Sequence, residues 1–230
     1  MALTRRLVKG QALTSAEHDA NIDHFEQNPN GVYIPKDSGV GIKIDETAPD
    51  WGWHDLVGQV DFEDGEATEA PSVVYQGSIK QRQFSIGDEC QAVFHMPHDY
   101  AEGTDMYVHV HWSHNSSSVT TGSVTWQAEI MYAKGHDQQA FSTPILVNMT
   151  QAASTTRYQH LIAEEPMTAA LGAGGILASE DMEVDGLVIV RLRLTANTMD
   201  GGALPFFHTL DLHYQSTGVP TKQKAPAFHV

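Results

Sequence analysis

Cysteine, basic residues and long apolar runs are all scarce in this 230-residue chain. The single cysteine, Cys90, excludes an intramolecular disulfide and most cysteine-based zinc sites. No apolar run reaches the roughly 18 residues that a membrane-spanning helix needs, so we expect no membrane insertion. The basic start MALTRRLVK has no apolar segment behind it and is not typical of a secretory signal. We therefore expect a protein that is made and folds in a cytoplasm.

Positive charge is scarce relative to negative charge. Lys and Arg together number 13 against 29 Asp and Glu, which gives a formal net charge of −16. A chain of this charge is repelled by phosphate backbones and anionic lipid surfaces, so we expect no nucleic-acid partner.

The usual catalytic and nucleotide-binding motifs are also missing. The chain has no Gly-x-Ser-x-Gly elbow, no phosphate loop and no Gly-x-Gly-x-x-Gly after a predicted strand. We therefore expect a protein that binds rather than catalyses.

Period-two alternation of apolar and polar residues dominates the C-terminal two thirds of the chain. It is sustained over residues 106–113, 124–132, 188–195 and 206–215, and shorter candidate strands lie between them. Such alternation predicts strands with one face in a core. In the last segment, strict alternation places Phe206 and His208 on the same side as Leu210. A short helix is predicted after Pro166, ending at Gly172.

These strands, joined by turn residues and long connections without an internal repeat, predict an all-β fold. We expect an antiparallel two-sheet sandwich of the jelly-roll type, with a short N-terminal helical arm. The predicted organisation is an arm over residues 1–30, an extended acidic connector over 31–71, and a sandwich body over 72–230.

The arm carries the signals of one short helix. Thr14 and Glu17 have the spacing of a capping box, and Asn30-Gly31 is a natural stop. A helix this short is marginal alone in water, so it needs a surface to pack against. We expect the apolar side chains of the arm to bind a partner, and these are Leu7, Leu13, Ile22 and Phe25.

The order of residues in this arm resembles the N-terminus of tail-fibre and related virion proteins of tailed bacteriophages. The resemblance covers the segment RRLVKG at residues 5–10 and the residues Leu13, Thr14, Glu17 and Asp19 to Asn21. It implies attachment to a phage capsid or tail protein, with the body projecting outward as a homotrimer. The phrases HVHW at residues 109–112 and LDLHYQS at residues 210–216 are similar to phage-encoded jelly-roll modules.

Two histidines, His109 and His111, have the spacing of metal ligands on one strand face. With Gly103 six positions before His109, they resemble the first half of the cupin metal motif. Where cupins carry a glutamate ligand, this chain has Asn115 or Ser116, and the second cupin motif is missing. Two histidines do not complete the three ligands of a catalytic metal centre.

His213 is the candidate for a third ligand, because it shares its strand face with Asp211. One alternative is a structural metal ion held by His109, His111 and His213, or by one histidine from each chain of a trimer. The other alternative is that no cofactor binds and the histidines are hydrogen-bonded to carboxylates at a subunit interface. Glu164 and Glu165 are expected to be solvated acids.

The aromatic pair Trp51 and Trp53 lies in the predicted connector. Exposed indoles of this kind stack on sugars in carbohydrate-binding sandwiches, and buried ones pack a connector onto its domain. The sequence leaves both roles open, so a host surface glycan is a candidate ligand.

Together these patterns predict a structural virion protein of a tailed phage with a fibre, decoration or adhesion role, assembled in the host cytoplasm. Two alternatives remain. One is a cupin-like metal-dependent enzyme that uses His109 and His111, and the other is a carbohydrate-binding module.

Overall fold

The computed structural model describes residues 32–33, 43–44, 51–62, 70–136 and 138–221. The chain divides into two units, one of residues 1–51 and 227–230 and the other of residues 52–226. In the first unit, two short strands pair in antiparallel fashion, β1 (Val32–Tyr33) with β2 (Lys43–Ile44). The second unit holds the remaining described elements.

Thirteen further strands follow in the second unit. They are β3 (Gly52–Val57), β4 (Gln59–Asp61), β5 (Ser72–Gln76), β6 (Ile79–Gln83), β7 (Glu89–His95), β8 (Tyr107–Ser113), β9 (Ser123–Ala133), β10 (Ile145–Ala152), β11 (Leu161–Pro166), β12 (Thr168–Ala169), β13 (Leu177–Ala178), β14 (Leu187–Asn197) and β15 (Phe206–Ser216). Three short 3-10 segments complete the described elements, Ala170–Gly175, Ser179–Asp181 and Asp200–Gly202.

Strands β12 and β13 pair with each other in parallel. The other eleven form two antiparallel sheets that face each other. One has five strands in the order β10-β9-β14-β7-β4, and the other has the order β11-β8-β15-β6-β5 with β3 also paired to β15. The order β6-β15-β8-β11 in one sheet against β7-β14-β9-β10 in the other is that of a jelly roll. The predicted all-β sandwich is confirmed.

The alternating apolar residues of the long strands meet between the sheets. Their side chains are almost completely buried, as the sequence pattern predicts; examples are Val108, Val110, Trp112, Trp126, Ile130, Val190, Leu192 and Leu212. Cys90 joins this core, and burial raises the pKa of its thiol to about 12. Among the described residues, no helix is both long and apolar enough to cross a bilayer.

Strand β15 departs from the strict alternation that its sequence predicts. Its register against β8 shifts between Phe207 and Thr209, and both Phe206 and Phe207 are buried. A bulge inserts one unpaired residue, so the side-chain phase changes there. His208 consequently does not enter the core with Leu210 and Leu212, and it is half-buried instead.

The structure differs from two local predictions. The sandwich begins at Gly52 rather than at residue 72, because β3 and β4 supply backbone partners to β15 and β7. Residues after Pro166 form the short strand β12 and a 3-10 segment instead of an α-helix. Leu171 and Gly172 have left-handed backbone angles inside that segment, which an α-helix cannot accommodate.

Candidate functional site on the six-stranded sheet

Cross-strand register brings polar residues that are distant in sequence together on the outer face of the six-stranded sheet. His109 of β8 lies opposite Glu164 of β11 on one side and Asp211 of β15 on the other. Further along, His213 of β15 lies opposite Asp55 of β3. Residues directly opposite each other in a sheet have side chains close enough to interact.

Four imidazoles form a continuous cluster on this face, which we call the histidine cluster: His109, His111, His160 and His213. The ring centroids of His109 and His213 are 3.9 Å apart, and those of His109 and His111 are 4.8 Å apart. His160 stacks on His111 with a centroid separation of 4.7 Å. The structure thus places the three predicted metal ligands, His109, His111 and His213, side by side.

Three carboxylates border the histidine cluster. Oδ2 of Asp211 lies 3.3 Å from Nε2 of His111 and 3.6 Å from Nε2 of His109. Oε2 of Glu164 lies 2.5 Å from Nδ1 of His213 and 3.8 Å from Nδ1 of His109. Oδ1 of Asp55 lies 2.6 Å from Nε2 of His213. His213 is therefore held between two carboxylates.

His109 is the most buried member of the cluster, with 0% of its surface exposed. Neither of its ring nitrogens has a hydrogen-bond partner among the described residues. A neutral imidazole carries one N–H donor and one acceptor nitrogen, and the nearest carboxylate oxygens, of Asp211 and Glu164, are too distant for a good hydrogen bond to either. Leaving buried polar atoms unpaired is unfavourable, by roughly 1–3 kcal/mol for each group, and such atoms are rare in folded proteins.

The surroundings of His111 and Asp211 favour one protonation state for each. Burial holds the pKa of His111 below its ordinary value, and the neighbouring imidazole of His109 acts in the same direction. Burial of Asp211 by itself acts to raise its pKa, but the adjacent imidazoles and the Thr209 hydroxyl outweigh that effect, and the pKa is lowered. A neutral imidazole beside an ionised carboxylate is the resulting combination.

The sequence placed Asp211 on the strand face of His213 but did not identify which carboxylates lie beside His109. Asn115, at the position of the cupin glutamate ligand, instead donates to the backbone carbonyl of Tyr75. The acids come from neighbouring strands, Glu164 and Asp55 among them. Glu164 was expected to be a solvated acid, but it is hydrogen-bonded to His213. Strand pairing, which one sequence does not reveal, was the missing information.

The two predicted tryptophans differ in their surroundings. Trp53, on β3, is 52% exposed although its strand is paired within the sheet. Its ring makes an edge contact with Tyr107 at 5.6 Å and lies 6.5 Å from the ring of His213. Trp51 is half-buried. Trp53 therefore belongs to the face that carries the histidine cluster.

A second aromatic group lies at the other end of the same face. Tyr75 makes edge contacts with the rings of Tyr158 at 5.2 Å and His208 at 5.4 Å. The hydroxyl oxygens of Tyr75 and Ser113 are 2.7 Å apart, and Nε2 of His208 lies 2.8 Å from that of Ser113. We call the row from Trp53 through the histidine cluster to Tyr75 and Tyr158 the ring row.

A separate group of histidines surrounds Asp185. Nε2 of His98 lies 2.9 Å, and that of His95 3.4 Å, from Oδ1 of Asp185. His136 contacts the other oxygen at 2.5 Å. These histidines are more exposed than His109, and His98 and His136 already make hydrogen-bond-length contacts.

The predicted partner-binding residues of the arm, Leu7, Leu13, Ile22 and Phe25, lie outside the described residues. The same holds for the arm's predicted helix.

No protein-family model and no curated protein matches this chain. Among solved structures, it is similar to a xylan-binding module, CBM15, at 9% identity over 72% of this chain and 97% of that one, with a TM-score of 0.33. It is also similar to the C-terminal family 22 carbohydrate-binding module of Clostridium thermocellum Xyn10B, at 13% identity over 73% and 88%, with a TM-score of 0.30.

A third similar structure is that of the CBM22-1–GH10 modules of Clostridium thermocellum endo-1,4-beta-D-xylanase 10B, complexed with xylohexaose. The identity is 12%, 75% of this chain is covered, and the TM-score is 0.33. This chain spans 28% of that longer one.

Proposed function

We propose that the protein is a non-catalytic carbohydrate-binding module and that the ring row on its six-stranded sheet is the binding surface. The observation that carries this proposal is Trp53, a large aromatic side chain that is 52% exposed on β3 and contacts Tyr107 of the same face. Trp is enriched at binding interfaces, because its ring is apolar and its N–H can still form a hydrogen bond.

The chemistry around Trp53 suits a sugar ring. A pyranose presents apolar C–H groups on its faces and hydroxyl groups around its rim. The indole offers a flat apolar surface, its ring centroid lies 6.5 Å from that of His213, and the carboxylates of Asp55 and Glu164 contact His213. A mainly apolar contact with a few placed polar groups is the usual composition of a specific ligand site.

The length and charge of the surface narrow the class of ligand. The ring row follows β8 from Tyr107 to Ser113, a distance of about 20 Å at the usual rise of a strand. An extended oligosaccharide uses such a row better than a single sugar does. The net charge of −16 repels polyanions, so the proposed ligand is a neutral polysaccharide.

Affinity electrophoresis in gels that contain soluble xylan, mannan or dextran tests the proposal, followed by calorimetry with xylohexaose. We expect the full chain to be retarded by at least one of these, and Trp53→Ala to remove the retardation. Phe141→Ala is the matched control, because it removes an aromatic side chain that is 44% exposed outside this sheet. Retardation that survives Trp53→Ala, or no retardation in any of these gels, contradicts the proposal.

We also propose that residues 1–30 attach this module to a capsid or tail protein of a tailed phage, as part of a homotrimeric virion component. The support is the N-terminal resemblance, and an adhesion role makes the two proposals compatible. A chain lacking residues 1–30 should bind the same polysaccharide but fail to enter virions. Incorporation of the shortened chain contradicts the attachment role, and a light-scattering mass of one chain contradicts the trimer.

A further inference from the structure

Two contacts of Asp211 have lengths that a hydrogen bond does not explain well. Its Oδ2 atom lies 3.3 Å from Nε2 of His111 and 3.6 Å from Nε2 of His109. A charge-assisted N–H···O bond is about 2.7–2.9 Å long. One carboxylate oxygen thus faces two imidazole nitrogens at similar distances, each longer than a good hydrogen bond.

We propose that His109, His111 and Asp211 bind one divalent transition metal ion of the zinc type. Zinc is bound at about 2.0–2.1 Å by histidine nitrogen and about 2.0–2.2 Å by carboxylate oxygen. In a tetrahedral site these bond lengths place neighbouring ligand atoms about 3.3–3.5 Å apart. The two contacts of Asp211 fall at or close to that separation, and all three ligand atoms lie within 4.8 Å of one another.

The burial of His109 is the second, independent observation. Its ring is fully buried, and both nitrogens lack a hydrogen-bond partner among the described residues. A metal ion bound to Nε2 uses one of these atoms. The other, Nδ1, then faces Oε2 of Glu164 at 3.8 Å, on the side where a metal-bound histidine usually has a carboxylate or carbonyl.

The outer contacts of the other two ligands are already in place. The Thr209 hydroxyl donates a hydrogen bond of 2.6 Å to Oδ1 of Asp211, the oxygen that does not face the histidines. Nδ1 of His111 lies 2.5 Å from Nε2 of His160, which fixes the orientation of the His111 ring. Such contacts hold ligands in position, and their loss typically weakens metal binding 10- to 100-fold.

The chemistry of the three ligand groups favours one class of metal ion. Two imidazole nitrogens with one carboxylate favour zinc and its neighbours over calcium or magnesium, which prefer oxygen ligands alone.

A second group of residues near His109 is a weaker candidate. Asp55, His109 and His213 also have ligand atoms within 4.8 Å of one another. Its members Asp55 and His213, however, already make a contact of 2.6 Å with each other. That pair is satisfied without an ion, so we assign the metal to the group that contains Asp211.

Zinc titration of the untagged, full-length chain after treatment with a chelator tests the proposal. We expect one Zn²⁺ per chain by calorimetry, no comparable binding of Ca²⁺ or Mg²⁺, and visible absorption bands of tetrahedral Co²⁺. Asp211→Asn and His111→Ala should each weaken zinc binding by at least about 100-fold, and Thr209→Val by about 10-fold. Asp185→Asn, the matched control, removes a carboxylate that three other histidines surround and should leave the affinity unchanged.

Two checks distinguish loss of the metal site from loss of the fold and from loss of carbohydrate binding. Circular dichroism and thermal unfolding of each metal-free variant show whether the fold is intact, and His111, on the partly exposed side of the site, is the more tolerant position. Trp53→Ala should retain zinc binding, so the test of the metal site does not depend on whether the protein binds carbohydrate. Failure of the folded wild-type chain to bind zinc, or binding that depends on Asp185 rather than on Asp211, overturns the proposal.

Discussion

The outer faces of the two sheets differ in how completely their polar side chains are paired. On the five-stranded sheet, neighbouring strands pair their polar groups: Thr125 with Thr150 at 2.9 Å, and Gln127 with Asn148 at 3.0 Å. Arg191 contacts Glu129 at 2.5 Å. These are solvent-accessible partners joined across the ladder, the usual way in which a sheet stabilises its outer surface.

On the six-stranded sheet, by contrast, the outer face buries an imidazole whose nearest carboxylate oxygens lie 3.6 and 3.8 Å away. His109 is fully buried beside Asp211, and its nitrogens are unpaired among the described residues. Trp53 on the same face is largely exposed. The outer face of the five-stranded sheet thus pairs these polar groups, whereas the other leaves the imidazole of His109 without a close partner and the indole of Trp53 largely exposed. That difference, more than the fold, locates the candidate site.

The largest expected effect concerns the core that both faces share. Trp126 of the five-stranded sheet is fully buried and packs against Phe84 at 5.1 Å and Phe207 of the opposite sheet at 6.4 Å. Trp126→Ala should lower the free energy of unfolding by about 3–5 kcal/mol, because it leaves a cavity between the sheets. Chemical denaturation measures the loss.

Hydrogen exchange then tests whether the two faces belong to one cooperative unit. Amides of β8 and β9 should lose protection together in Trp126→Ala. If only β9 becomes less protected, the sheets unfold separately, and the contrast between their faces compares two independent structures.

A smaller effect is expected at the buried imidazole. His109→Leu removes two buried nitrogens without a close partner, but it also removes an imidazole that lowers the pKa of Asp211, so the two effects oppose each other. We expect the free energy of unfolding of the metal-free protein to change by less than about 1 kcal/mol. Asp211 keeps its contacts with Thr209 and His111. The matched change on the other face, Gln127→Leu, breaks a completed hydrogen bond at an exposed site and should alter stability by less than about 0.5 kcal/mol.

The same variant discriminates between structural and ligand roles for His109. A loss of more than about 1 kcal/mol in metal-free His109→Leu means that the imidazole stabilises the fold through contacts of its own. In that case the two faces do not differ in the way described.

The contrast between the faces also shows how far one sequence can be interpreted. Alternation placed Val110 and Trp112 inside and His109 and His111 outside, and it predicted the two-sheet sandwich. It did not reveal the bulge at Phe207, because a bulge depends on the partner strand and not on local pattern.

Only the histidines of the candidate site could be predicted from the sequence, and not the carboxylates that surround them. The histidines follow from their spacing, whereas the partners Asp211, Glu164 and Asp55 follow from the pairing of four strands. The sequence showed that Asp211 and His213 share a strand face. It did not show that Asp211 lies opposite His109 and His213 opposite Asp55, because that depends on the register between strands, which long-range contacts determine.

The smallest expected effect on stability concerns the ion pairs of Arg191 on the outer face of the five-stranded sheet. Arg191 lies between Glu129 at 2.5 Å and Glu89 at 3.9 Å, and its side chain is 44% exposed. Arg191→Ala should lower the free energy of unfolding by about 0.2–1 kcal/mol, since solvent screens an exposed ion pair. In 1 M NaCl most of that difference should disappear, because the Debye length falls to about 3 Å. Denaturation at low and high salt measures both values. An effect that persists in 1 M NaCl indicates that Arg191 contributes through the packing of its side chain. The five-stranded face would then owe its stability to buried surface and not to the cross-strand pairs that distinguish it from the histidine cluster.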